Sequence, residues 1–186
     1  MKKTKIVNFF GGPSSGKSTI TSGVFYELKR LGVLCDNPYE FPKQVAWEEN
    51  TSQISDQLYI FANQHRGIVR SYGKVDFIIL DSPILLSLAY KDGYEKGYPA
   101  SIYGKGFDNM VIETFSKYDN INFFLRRSEK DFQQTGRFQN YEESLEFDEK
   151  IKHHLDANGF PYYCLDIDDS TVSTVVNFLR QYNRGL

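Results

Sequence analysis

Residues 8–25 read NFFGGPSSGKSTITSGVF. An apolar run, Ile6–Phe10, enters this stretch, and an apolar-periodic segment, Ser18–Leu31, leaves it. Between them Gly11-Gly12-Pro13-Ser14-Ser15-Gly16-Lys17-Ser18 fits G-x-x-x-x-G-K-[ST]. The context is the one this motif needs: a strand before it and a helix after it. Glycine lets the backbone curl until successive N–H groups face one concavity, an anion nest. The helix start adds the positive end of its dipole. Lys17 can then reach β- and γ-phosphates, Ser18 can hold Mg²⁺, and Thr19 completes the turn. The segment Gly11–Thr19 is therefore read as a cradle for a triphosphate, with ATP and Mg²⁺ as the expected cofactors.

Outward from the loop, the pattern alternates. Val33–Asp36 reads as a second strand, and Asn37–Asn50 as irregular with a helical turn near Trp47. Ile54, Leu58, Phe61, His65, Ile68 and Tyr72 keep helical spacing, which predicts a helix over Gln53–Ser71. Val75–Leu80 is a third strand, ended by Asp81-Ser82-Pro83, with Ser82 as N-cap of a helix reaching Tyr90. Lys91–Gly106 reads as a loop, Phe107–Tyr118 as helix, Ile121–Leu125 as strand and Arg126–Asn140 as a polar irregular segment. Tyr141–Asn158 is helical, Tyr162–Ile167 a fifth strand and Thr171–Tyr182 a last helix. Short apolar strands alternating with helices imply an α/β fold, a parallel sheet of about five strands with helices on both faces. No repeat or linker divides the chain, so 1–186 is expected to be a single domain.

Composition narrows the function classes. The 186 residues carry 22 Lys+Arg against 24 Asp+Glu, so no global basic field draws the chain to nucleic acid or membrane. The apolar run behind Met1-Lys2-Lys3-Thr4-Lys5 is too short for a signal peptide core, and no run is long enough to span a bilayer. A cytoplasmic protein is expected. The two cysteines, Cys35 and Cys164, each lie in an apolar stretch and read as buried free thiols.

In open parallel sheets ligands bind beyond the carboxyl ends of the strands, which sorts the polar residues. Asp81, after VDFIIL, is placed to hold Mg²⁺ or orient the attacking group; capping the next helix is the structural alternative. Glu40, in NPYEFPKQ, faces the cleft and can take a proton from a substrate hydroxyl, or is a solvated loop acid. Phe41, Lys43 and Trp47 can wall an aromatic ring, although aromatics usually serve the core. Gln64 can read a base or amide edge and Arg66 can hold an anion; both also fit a solvated helix face. Arg126, Arg127 and Arg137 suit a lid over residues 126–140 that closes on the phosphates, where the planar guanidinium pairs at two points. Asp168 and Asp169 cap the final helix. Residues 90–106, with four tyrosines and three lysines, form a substrate-side loop or an ordinary surface one.

Together GGPSSGKST, YEFPK, DQLYIFANQHR, IILDSP and FLRR…TGRFQ resemble small P-loop kinases. The likeness, from Ile6 to Leu179, is to the ribosylnicotinamide kinase (NadR-like) domain and related bacteriophage proteins of AAA-type ATPase or nucleotide kinase kind. That resemblance implies a P-loop fold with Glu40 and Asp81 facing the substrate hydroxyl and Mg²⁺, and with Arg126, Arg127 and Arg137 in the lid. The Asp-Ser-Pro end of the third strand and the Tyr/Gly-rich loop after it depart from the family's nicotinamide riboside site. The acceptor stays open between a small nucleoside- or nucleotide-like molecule and a hydroxymethylated pyrimidine in DNA. A regulatory ATPase without an acceptor is the third reading. The oligomeric state is open between monomer and homodimer.

Overall fold

The computed structural model describes residues 3–48, 53, 56–93, 104–126 and 141–183. Five parallel strands form one sheet: β1 (Lys5–Phe10), β2 (Cys35–Asp36), β3 (Phe77–Leu80), β4 (Asp119–Arg126) and β5 (Tyr163–Asp166), in the order β2-β3-β1-β4-β5. Around it lie α1 (Lys17–Arg30), α2 (Phe41–Trp47), α3 (Gln57–Ser71), α4 (Leu86–Gly93), α5 (Lys105–Ser116), α6 (Tyr141–Ala157) and α7 (Thr171–Asn183).

Strand periodicity explains the layers. Along β1, Ile6 and Phe10 face a core shared with α3, α4, α5 and α6, while Val7 and Phe9 face a second core under α1 and α7. Both faces are buried, so the strand reads as continuously apolar rather than alternating. Phe9, Phe10, Phe123 and Phe124 are each under 2% exposed. Burying such a side chain contributes roughly 1.5–3 kcal/mol. The one polar position inside β1, Asn8, donates through Nδ2 to Asn120 Oδ1 and Asn122 Oδ1, both at 2.9 Å, stitching β1 to β4. Lys5 Nζ adds a 2.7 Å ion pair to Asp119 at the other end of that seam.

Several boundaries differ from expectation. The helical turn expected near Trp47 is a longer helix, α2, which begins at Phe41 with Pro42 in its first turn, where a missing N–H costs nothing. Asp56 caps α3 by accepting from the Tyr59 N–H at 3.0 Å, so the helix begins after that residue. Ser82 is not a helix cap: α4 starts at Leu86, after a turn closed by Leu86 N–H to Pro83 O at 2.9 Å. Cys35 is buried, and burial pushes its thiol up to about 11. Cys164 is a free thiol but exposed, because β5 lies at the sheet edge and is mostly uncovered. The Asp168 carboxylate accepts from the Ser170 N–H at 2.8 Å and meets Thr171 Oγ1 at 3.2 Å, closing the turn into α7. Those bonds hold it below the usual carboxylate range. Among the described residues no helix is long and apolar enough to cross a membrane.

Strand order decides where a ligand can sit. The chain leaves β1 for β2 and β3 on one side and reaches β4 and β5 on the other. The carboxyl end of β1 is thus the switch point of the sheet, where a crevice opens.

Candidate active site

The loop between β1 and α1 occupies that crevice. Gly11 has φ 142°, Ser14 φ 61° and Gly16 φ 70°, so the backbone turns repeatedly through left-handed conformations. A Cβ on Gly11 would lie 2.5 Å from Ser15 Oγ and 3.2 Å from the Leu125 carbonyl oxygen. One on Gly16 would lie 3.1 Å from Ile167 Cδ1. Ser14, a non-glycine at positive φ, is the kind of backbone outlier that concentrates at functional sites. Gly16 takes the N-cap position of α1 with no side-chain bond, and the first turn of that helix holds no acidic residue. Its N-terminal N–H groups and dipole therefore meet the crevice without a competing carboxylate.

Lys17 arches back over the loop. Its Nζ donates to Gly11 O at 2.7 Å, Gly12 O at 2.8 Å and Ser15 Oγ at 3.3 Å. Residues 13–19 form one wall of a cleft of about 90 Å³, with Ser18 and Thr19 at the start of α1. Glu40, Ser82, Leu86 and Tyr90 form the facing wall. The Tyr90 ring is packed against Phe147 of α6, centroid to centroid 4.5 Å.

Asp81 lies close enough to Glu40 for its charge to act on the Glu40 carboxyl. Burial first, and the Asp81 charge second, push Glu40 up to about 7; Lys17 and then Lys43 pull the other way. A buried carboxyl beside a second negative charge holds its proton to higher pH. Strand ends bring them together, Asp81 following β3 and Glu40 preceding α2.

The remaining sequence candidates divide. Lys43 lies close enough to act on Glu40. Phe41 packs edge-on against Tyr59 at 5.3 Å. Trp47 is 77% exposed and is not among the cleft-lining residues. Arg66 is exposed on α3. Gln64 donates through Nε2 to Ser82 Oγ at 2.7 Å and Ser82 O at 3.1 Å, which ties α3 to the turn after Asp81. Arg126 pairs with Asp166 at 2.7 Å across the ends of β4 and β5. Arg127, Arg137 and the rest of the expected lid lie outside the described residues, as do residues 94–103 of the Tyr/Gly-rich segment.

Two residues of α6 reach the loop and were not expected. The Gly12 N–H donates to Asp148 Oδ1, and Ser144 Oγ donates to Pro13 O at 2.8 Å. A signal existed: Ser144, Phe147, Asp148, Ile151 and Leu155 form the buried stripe of α6, and Asp148 is its charged member. A charge on a helix's buried stripe requires a partner.

The chain's likeness to known proteins agrees with this geometry. A structure of a deoxyadenosine kinase from M. mycoides with dCMP and dCDP bound superposes with TM-score 0.62 at 17% identity, covering 95% of this chain and 99% of that one. A structure of NadR protein in complex with NR gives TM-score 0.71 at 15% identity, covering 97% of this chain and 51% of that one. These likenesses establish the α/β P-loop fold. Among curated sequences, protein RecA of Campylobacter fetus subsp. fetus is 33% identical over 93 residues, 46% of this chain. That match covers 27% of the RecA length, and the NadR chain is about twice the length that this chain covers. The family model described as AAA domain matches residues 6–170, nearly the whole of the described fold, and the chain belongs to that family of P-loop proteins.

Proposed function

We propose that the protein is an ATP-dependent phosphotransferase that moves the γ-phosphoryl group of ATP to a nucleoside- or nucleotide-like acceptor. The observation that carries this reading is the pair of opposed walls. A phosphate cradle stands on one side, and on the other stands a carboxyl whose proton leaves at about pH 7. A kinase needs such a proton acceptor within reach of the substrate hydroxyl; a hydrolase needs one for its attacking water, and the fate of the labelled phosphoryl group separates the two.

Each residue then has a task. Gly11, Gly12, Pro13, Ser14, Ser15 and Gly16 shape the loop, and its N–H groups hold the polyphosphate. Lys17 has a mobile ammonium tip, which can exchange the Gly11 and Gly12 carbonyls for phosphate oxygens. Glu40 takes the proton of the acceptor hydroxyl as its oxygen bonds to the γ-phosphorus; the bond to the β,γ-bridging oxygen breaks and ADP leaves. General-base assistance of this kind is worth roughly 10² to 10⁴ in rate. Leu86 and Tyr90 give the acceptor side an apolar wall and an aromatic one. Arg126, with Arg127 and Arg137, is assigned to charge stabilisation on the moving phosphoryl group.

The oxygen donors Ser18 and Asp81 suit Mg²⁺, a hard cation that takes one or two carboxylates and keeps phosphate oxygens as its other ligands. A buried Glu40 beside the Asp81 charge marks a place where positive charge is favourable. Ser18 and Asp81 would hold the ion, and it would supply neutralisation of charge on the phosphates.

A screen with γ-labelled ATP against nucleosides, mononucleotides and hydroxymethylated DNA tests the proposal. Label moving to a small acceptor supports it. Label moving to DNA alone favours a polynucleotide substrate, and release of orthophosphate under every condition favours a regulatory ATPase.

A further inference from the structure

Asp148 is buried, 6% exposed, on a helix whose neighbouring inward residues are Phe147 and Ile151. A carboxylate in such surroundings is retained only against a strong partner. The partner shown is a backbone N–H, that of Gly12, 136 residues away in sequence.

That N–H belongs to the Gly11–Gly12 peptide. A trans peptide is planar, with its N–H and C=O pointing in opposite directions. Holding the Gly12 N–H toward α6 therefore aims the Gly11 C=O away from α6. Lys17 Nζ stands there, 2.7 Å from that oxygen. Four residues earlier on the same helix face, Ser144 Oγ donates to Pro13 O at 2.8 Å and anchors a second peptide. Glycine at both Gly11 and Gly12 leaves this piece of backbone without side-chain constraint, so the orientation of the peptide is set by what grips it.

We infer that Asp148 is a positioning residue for nucleotide binding. Through its bond to the Gly12 N–H, and with Ser144 as second tether, it fixes the rotation of the Gly11–Gly12 peptide and with it the resting place of the Lys17 ammonium. This rests on the reading of the loop as an ATP site. Asp148 touches no nucleotide in this scheme; it keeps the cradle in the shape that binds one.

Calorimetric titration of the full chain with ATP–Mg²⁺ tests this, alongside thermal melts of each protein. Asp148→Ala is expected to weaken affinity by about tenfold or more, because the Gly12 N–H loses its acceptor. Asp148→Asn keeps an oxygen that can accept the same bond and is expected to bind within about threefold of wild type. A residue that only supports the fold would reduce the number of competent sites and leave the affinity of the folded fraction unchanged. Folded Asp148→Ala binding as tightly as wild type overturns the inference, and so does Asp148→Asn binding as weakly as the alanine variant. Should Asp148→Ala fail to fold, Ser144→Ala carries the test: about threefold weaker binding is expected, and unchanged affinity overturns the scheme. A wild-type protein that takes up no ATP–Mg²⁺ overturns the proposed function and this inference with it. Wild-type binding with unaltered variants overturns this inference alone.

Discussion

The carboxyl groups of Glu40 and Asp81 stand close enough for one charge to act on the other, although one precedes a short helix and the other follows a central strand. Like charges in contact cannot both ionise cheaply, so one of the two keeps a proton to higher pH. Here Glu40 keeps it, up to about 7, with burial the larger cause and Asp81 the next. An acid that ionises at neutral pH is suited to accept a proton during turnover.

Phosphoryl transfer is expected to rise with pH along a limb set by Glu40, which must lose its proton before it can take one; with Mg²⁺ neutralising the Asp81 charge, the midpoint should lie between 4.5 and 7. Glu40→Gln is expected to lower the rate by about two orders of magnitude or more and to abolish that limb. A pH–rate profile of both proteins checks this.

Stability without ligand should run the other way. Glu40 holds its proton more tightly when folded than at its ordinary value of 4.5. Its contribution is thus fully present below that value and is lost as pH rises through about 7. The melting temperature of wild type should fall across this window relative to Glu40→Gln, which has no carboxyl to ionise. Parallel melting curves would remove Glu40 from the account.

Asp81→Asn removes the neighbouring negative charge while burial remains. The Glu40 midpoint should move below 7 without reaching 4.5, and melting curves against pH would show the shift. The same substitution should raise the Mg²⁺ concentration needed for turnover, since a neutral amide is a poorer ligand for this ion.

Lys17→Ala is expected to lower transfer by about two orders of magnitude or more, with little change in melting temperature. Its Nζ bonds to Gly11 and Gly12 crown the loop, and the cores lie on the sheet beneath. Steady-state rates and thermal melts of the purified variant read both halves of this expectation.

Gly11→Ala should act on the fold and the site together. At φ 142° the added methyl group is strained, and it would press on Ser15 Oγ at 2.5 Å. A loss of roughly 1–3 kcal/mol of stability is expected from such backbone strain, with ATP binding reduced in the folded fraction. Denaturant melts and calorimetry check the two effects.

Much of the architecture was legible because the central strands are short apolar runs closed by glycine or acid, and because the phosphate motif marks where β1 ends and α1 begins. Asp81 and Glu40 were legible as strand-end acids; the action of one charge on the other was not, since it joins positions 41 residues apart in the chain. Ser82 looked like a helix cap in local sequence, but Gln64 of α3 takes its hydroxyl and carbonyl instead. Tertiary contact overrode local propensity there. The start of helix α2 was hidden by Pro42 and by its short length, and Cys164 by an edge strand that reads like an inner one. Asp148 could be singled out as the charge on a buried helical stripe, but its bond to the Gly12 N–H could not, since a backbone N–H carries no residue-type signal.

The most direct test of the account is the fate of the γ-phosphoryl group. Wild-type protein is incubated with γ-labelled ATP, Mg²⁺ and a panel of nucleosides and nucleotides at pH 8. Label is then partitioned between acceptor and orthophosphate. Transfer to a small acceptor, lost in Lys17→Ala and strongly reduced in Glu40→Gln, is the predicted result. Label found only in orthophosphate, at a rate indifferent to Glu40→Gln, would contradict it.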